Sequence, residues 1–143
     1  EIVRHRIASY AQESTRYCSY DKKKFGSEIT VVRPAAFEEG SACYKLWRDA
    51  CEAAEWAYFA LLKDGATPEL ARDVLPTSLK TELVVTMNLR EWRHFFALRA
   101  VGTTGRPHPQ IQQVALPLLR ELGDWLPEVF GDLKGMVTAH DGD

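Results

Sequence analysis

The sequence predicts an α+β fold that is mostly helical with one small sheet, in a single domain covering residues 1–143. Three observations predict it. Apolar residues recur at helical spacing in several long segments, a β-branched run interrupts them, and no repeat or low-complexity linker divides the chain. With 45% hydrophobic and 27% charged residues in a chain of 143, a core can form, which excludes disorder, a collagen and a disulfide-stapled miniprotein.

Each element follows from local chemistry. Glu28 to Val32 reads as a strand. From Ser41 to Leu62, Cys43, Trp47, Ala50, Ala54, Ala57 and Leu61 alternate at spacings of four and three, one stripe of an amphipathic helix that Gly65 caps. Thr67-Pro68-Glu69 supplies an N-cap, a proline at the first helical position and a first-turn acid, opening a short helix that carries Arg72 and stops at Pro76.

Lys80 to Met87 is rich in β-branched residues, with Leu83, Val85 and Met87 on one alternation, and predicts a second strand. Asn88 then N-caps a helix with Trp92, Phe95, Phe96 and Arg99 near one face. Val101 to Pro109 holds two glycines and two prolines and reads as a loop. A further helix begins near Pro109, with Ile111, Val114, Ala115, Leu118, Leu119 and Leu122 in helical period and Pro117 expected to bend it. The tail beyond Leu133 is expected to be polar and frayed.

The 20 acidic and 18 basic side chains give a net charge of −2, which argues against a nonspecific nucleic-acid binder and makes any anion site local. No stretch approaches the roughly 20 apolar residues of a membrane-spanning helix, so a soluble cytoplasmic protein with no membrane partner is the expectation. Cys18, Cys43 and Cys51 match no metal or disulfide spacing and are expected to be reduced thiols packed as small hydrophobes.

Two polar clusters stand out. Between Arg4 and Tyr17 lie Arg4, His5, Arg6, Ser9, Gln12, Ser14, Thr15 and Arg16, an unusual density of guanidinium forks and hydroxyls for a nearly neutral chain. Such groups suit phosphate or carboxylate oxygens, and they equally suit a solvated, salt-bridged surface. In the second cluster, Asn88 to Arg99, the cations Arg90, Arg93 and His94 are spaced to project together from a helix among Trp92, Phe95 and Phe96. This mixture fits a flat heterocycle with phosphates, or a core with a charged rim.

Other templates fail. There is no Walker loop, no G-x-G-x-x-G and no G-x-S-x-G, and His5, His94, His108 and His140 lack the spacing of a zinc site, so no metal is expected. The residues alone reach as far as an anion-binding domain.

Arg4-His5-Arg6, seven intervening residues and Ser14 resemble the R-H-R-x7-S signature of the flavin-dependent thymidylate synthases. The likeness extends through Ser14-x-Arg16-Tyr17, the Arg72 to Pro76 segment, Asn88-x-Arg90 through Leu98-Arg99, and His108-Pro109-Gln110-Ile111, covering roughly residues 1 to 130 in order. The resemblance implies an α+β fold, mostly helical with a small antiparallel sheet, in a homotetramer that holds FAD between subunits. It implies conversion of dUMP to dTMP with methylenetetrahydrofolate as carbon donor and FAD reduced by NADPH as hydride source.

The same resemblance implies residue roles. Arg4, His5, Arg6 and Ile7 would line the FAD and dUMP junction, with Arg4 touching both. Gln12, Ser14, Thr15, Arg16 and Arg72 would receive dUMP, with Arg16 on its phosphate. Asn88, Arg90 and His94 would contact FAD. Arg99 would hold the uracil ring and act as the catalytic polarising cation, and Ser14 would bind rather than attack. Ala11 departs from the asparagine common at that position, and Glu1 stands where some members carry a glutamine that touches dUMP.

The chain opens on Glu1, which gives the expectation of a sequence cut just before the signature, about two-thirds of a subunit with the N-terminal third missing. The competing expectation is a noncatalytic nucleotide-binding or oligomerising remnant of the same family.

Overall fold

The computed structural model describes residues 1–16 and 28–140, with side chains through Val137. Tyr17 and Cys18 lie outside the described residues. The elements are β1 (Ala8–Gln12), α1 (Ala42–Lys63), α2 (Pro68–Ala71), β2 (Leu83–Met87), α3 (Leu89–Phe96), α4 (Pro109–Trp125) and α5 (Pro127–His140). A 3₁₀ turn, Arg72–Val74, follows α2, and a π-helical turn, Ala97–Val101, follows α3. β1 and β2 pair as a two-stranded antiparallel sheet, so the α+β class with little sheet holds.

The chain forms two compact units, Glu1–Tyr10 with Val85–Asp143, and Ala11–Val84. In the first, α3, α4 and α5 pack around Phe95, Phe96, Ala115, Leu119, Phe130 and Leu133. Phe96 and Phe130 meet edge to face at 5.5 Å, the geometry the aromatic quadrupole favours. Asn88 caps α3 as its sequence position predicts, its side chain accepting from the Glu91 N–H at 2.9 Å. His108 does the same for α4, accepting from Gln110 at 3.2 Å. That helix continues through Pro117, whose ring nitrogen has no proton for the preceding turn.

The predicted frayed tail is overturned. α5 runs to His140 because Phe130, Leu133 and Val137 recur at three and four and all three are buried against the other helices. Gly123 permits the close approach of α4 and α5, since a Cβ there would lie 2.8 Å from Lys134 Cδ.

In the second unit, Tyr58 of α1 packs on Ala71 of α2, with Phe59, Leu62, Leu75 and Leu79 around them. Ser41 caps α1, and Gly65, at φ +93°, ends it. The buried stripe is centred beside the predicted one. Cys51 and Tyr58 are buried, with Tyr44 and Leu62 half-buried; of the predicted stripe, Trp47, Ala54 and Ala57 are half-buried, whereas Cys43, Ala50 and Leu61 are exposed. Alanine packs on either side of a helix at little cost, so the large ring of Tyr58 decides which side turns in. Cys43 is therefore a surface thiol, while burial raises the Cys51 thiol above its ordinary range.

The predicted strand at Glu28 to Val32 reduces to a single antiparallel bridge, Val31 with Leu79, flanked by Lys80 N–H to Thr30 and Val32 N–H to Ser78, both 2.8 Å. Pro34 has no N–H with which to extend the ladder on one side, and the turn from Pro76 closes it on the other. Similarly, β2 begins at Leu83 rather than Lys80. Among the described residues no helix is long and apolar enough to cross a membrane.

Candidate active site

In the first unit, the turn that precedes β1 buries His5 to 1% exposure beneath α3 and its π-helical extension. The His5 ring stands edge to face against Phe95 and His94, each at 5.2 Å. Its Nδ1 lies 3.2 Å from Glu91 Oε1, and its Nε2 accepts from Arg99 Nε at 3.2 Å. Arg99 carries only donors, so Nε2 holds the lone pair and Nδ1 holds the proton that Glu91 accepts. Burial is the main influence lowering the His5 pKa below its ordinary 6.5, opposed by the Glu91 hydrogen bond and reinforced by the Arg99 charge.

Arg99 is 8% exposed. Its NH1 pairs with Glu1 Oε2 at 2.5 Å, and Glu1 Oε1 accepts from the His108 N–H at 3.3 Å. Arg99 lies within the π-helical turn, where the N–H groups of Gly102 and Thr103 both reach Ala97 O at 3.0 Å. Such turns widen the helix and reorient what they carry. Gly102, at φ +82°, terminates it. Tyr10 donates to the His5 carbonyl at 2.5 Å, and Arg4 donates to Thr104 at 3.2 Å. Arg4, Arg6, Ile7, Asn88, Arg90 and His94 are all exposed on this unit.

The expected joint projection of Arg90, Arg93 and His94 is overturned. Arg93 is drawn to α5, donating to both Asp132 oxygens at 2.7 Å and to the Val129 carbonyl, while the His94 ring stands against His5. Arg90 remains exposed.

His5, Glu91 and His94 offer possible metal-ligand atoms within 4.8 Å of one another. The His5 ring has both nitrogens committed, however. A metal at Nδ1 would displace the proton held by Glu91, shift it to Nε2 and turn that N–H against the Arg99 N–H. The guanidinium charge adds further repulsion for a cation, so the donor set suits an arginine rather than a metal.

In the second unit, Gln12, Ser14, Thr15 and Arg72 line one hollow of about 520 Å³, together with Glu13, Thr77, Leu79 and Thr81. Ser14 Oγ accepts from the Arg16 N–H at 3.3 Å, and Arg72 NH1 donates to Thr15 Oγ1 at 3.4 Å. Arg16 Nε pairs with Glu69 of α2 at 2.8 Å, half exposed to solvent. The hollow offers hydroxyls, an amide and a half-buried guanidinium, a donor set for a phosphorylated sugar. A larger hollow of about 630 Å³ along α1 is lined by Glu28, Glu52 and Glu55, which repel anions.

Glu91, Thr77 and Thr81 were not singled out by sequence reasoning, and Glu1 was noted only as a departure from a glutamine, not as a partner of Arg99. Only Glu91 carries a signal: it precedes the buried Phe95 by four residues and Leu98 by seven, a carboxylate on an apolar stripe.

The family model described as thymidylate synthase complementing protein matches residues 1–128. A flavin-dependent thymidylate synthase of Pyrococcus furiosus is 38% identical over 122 residues, 85% of this chain and 48% of that protein. The chain thus spans about half the length of that curated relative. Among solved structures, a UMP/dUMP methylase from Streptomyces cacaoi bound with 5-Br dUMP superimposes with a TM-score of 0.66 at 25% identity, over 96% of this chain and 65% of that one. Thymidylate synthase X from Helicobacter pylori, with FAD and dUMP, has the same fold at a TM-score of 0.63 and 21% identity, over 93% of this chain and 65% of that one. With the match running unbroken from Glu1 past α4, this chain belongs to the thymidylate synthase complementing protein family, the flavin-dependent thymidylate synthases.

Proposed function

We propose that this chain carries nucleotide- and flavin-binding residues of a flavin-dependent thymidylate synthase, which converts dUMP to dTMP with methylenetetrahydrofolate as carbon donor and NADPH-reduced FAD as hydride source. The observation that carries this reading is the hollow in which Gln12, Ser14, Thr15 and Arg72 converge, because all four were expected to receive dUMP from the resemblance alone. Arg16 joins them on the phosphate when its exposed partner Glu69 gives way, an exchange of one anion for another in high dielectric.

Arg99 is the proposed catalytic cation. Forming a bond at uracil C5 requires electron density there, and a buried guanidinium hydrogen-bonded to the pyrimidine edge stabilises the enolate-like charge as it develops. FAD, when bound, supplies the redox chemistry. The exposed cations Arg4, Arg6 and Arg90 fit its phosphates, and Ile7, Asn88 and His94 fit its rings and polar edges.

A homotetramer is part of the proposal, supported by two large apolar side chains of α1, Leu46 and Trp56, which are 72% and 74% exposed and available for burial against another subunit. The cytoplasm is the proposed compartment. The test is direct: full-length protein that purifies yellow and oxidises NADPH faster on addition of dUMP supports the reading, and colourless protein without dUMP-stimulated oxidation overturns it.

A further inference from the structure

We infer that Glu91, acting through His5, is a positioning residue that fixes the orientation of the Arg99 guanidinium. The inference rests on the reading of Arg99 as the group that meets the pyrimidine.

Three ionisable side chains lie in line and are all nearly removed from solvent: Glu91 at 7% exposure, His5 at 1% and Arg99 at 8%. Burying a carboxylate is costly without compensation, and Glu91 receives two kinds. It sits in the first turn of α3, where the helix presents its positive end, and it accepts from His5 Nδ1. An ionised carboxylate has no proton to give, so Glu91 admits only the His5 tautomer with Nδ1 protonated. That leaves Nε2 as an acceptor for Arg99 Nε–H at 3.2 Å.

The alternative tautomer would set an N–H against an N–H and push Arg99 aside. An imidazole alone does not exclude it; the Glu91 carboxylate does. Because a guanidinium is planar, anchoring Nε to His5 and NH1 to Glu1 defines its plane, and the remaining N–H groups point in fixed directions. A ligand edge then meets donors already in place, which is the arrangement that lowers a barrier without reorganisation. Phe95 and His94 each stand edge to face against the imidazole at 5.2 Å, which restricts its rotation.

The test is a long-range ¹H–¹⁵N spectrum of the full-length holoenzyme, labelled at histidine, with Glu91→Gln and Glu91→Met beside it. The wild type should show His5 with Nδ1 protonated and Nε2 bare. Glu91→Gln keeps an acceptor oxygen beside a new amide donor; with that oxygen turned to Nδ1–H while Arg99 donates to Nε2, it should retain the pattern, with turnover closer to wild type than Glu91→Met. Glu91→Met removes the acceptor at similar volume; it should lose the pattern and lose turnover on the order of 100-fold, with the KM for dUMP changed far less. A wild-type His5 protonated at Nε2 overturns the inference, as does a folded Glu91→Met enzyme with normal turnover. If Glu91→Met does not fold, Glu91→Gln decides: loss of turnover with the tautomer retained overturns the inference. Failure of the Arg99 reading is separate, since it would appear as normal turnover in Arg99→Ala whatever the His5 tautomer.

Discussion

Arg93 of α3 grips Asp132 of α5 through both of its terminal nitrogens, NH1 to Oδ1 and NH2 to Oδ2, each at 2.7 Å. The hydrogen bonds from Arg93 hold the Asp132 carboxyl at about 2, below its ordinary 3.8. A lowered folded-state value means that this stabilisation is fully present above 3.8 and is lost as pH falls toward 2. Both side chains are more than one-third exposed, so the contribution is on the order of 1 kcal/mol or less. Asp132→Asn should lower stability by that amount at pH 7, and the difference from wild type should shrink as pH falls below 3.8 and through about 2. Urea titrations of both proteins across this range check it.

His5 acts at higher pH with the same direction. Its pKa is lowered in the fold from an ordinary 6.5, chiefly by burial, so the native state favours the neutral ring. The resulting stability is present above 6.5 and is lost as pH falls through the lower folded value, because the unfolded chain takes up the proton more readily. Denaturation measured from pH 7.5 down to 5 should show stability declining below 6.5, and His5→Gln should flatten that decline. Equal slopes in the two proteins would show that His5 is not the titrating group.

The fold was legible where side chains state their partners locally. Ser41 and Asn88 accept from backbone N–H groups three residues away, so the starts of α1 and α3 could be read from short stretches. The inward face of α1 was not, because an alanine-rich stripe competes with Tyr58 and its neighbours and only the contact with Ala71 settles the rotation. The gathering of Gln12, Ser14 and Thr15 in one hollow was legible through the signature, since the three are consecutive or nearly so. Glu91 was hidden because its partner, His5, is 86 residues away in sequence, and a first-turn acid already has an ordinary explanation at a helix start. The π-helical turn was hidden for a related reason: its hydrogen bonds depend on Gly102 terminating it, and no propensity marks that register.

Gly102 therefore offers a stability prediction. At φ +82° a side chain is strained, and a Cβ would lie 3.1 Å from Pro107 Cδ and 3.2 Å from the Gly105 carbonyl. Gly102→Ala should cost at least about 1–2 kcal/mol from backbone strain, visible as a lowered Tm. Gly40→Ala, with similar φ and nothing within 4 Å of the new Cβ, is the control that isolates the strain from the crowding.

Arg99→Ala should abolish dTMP formation while the protein keeps much of its FAD, because the proposed flavin contacts come from other residues. Replacing Cys18, Cys43 and Cys51 together by serine should leave turnover in place, since none is assigned a nucleophilic role. Product analysis and flavin absorbance on the same preparations check both, and a folded triple mutant without turnover would overturn the cysteine-independent mechanism.

Substitution of Arg72 is expected to separate the proposed nucleotide binding from flavin binding. Arg72 opens the 3₁₀ turn after α2, half-buried, and reaches Thr15 at 3.4 Å within the hollow that Gln12 and Ser14 also line. Hydrogen bonds to a charged partner contribute about 1.5–3 kcal/mol, so Arg72→Ala should weaken dUMP binding by roughly 10- to 100-fold. The cations proposed for FAD lie in residues 1–10 and 85–143, so flavin content should stay near wild type. Glu69→Gln should act in the opposite sense, because it removes a carboxylate that pairs with Arg16 at 2.8 Å and competes with a phosphate for that guanidinium. Calorimetric titration of dUMP into both variants decides: tighter binding in Glu69→Gln and weaker binding in Arg72→Ala support phosphate recognition in this hollow, whereas unchanged affinity in both would move dUMP elsewhere.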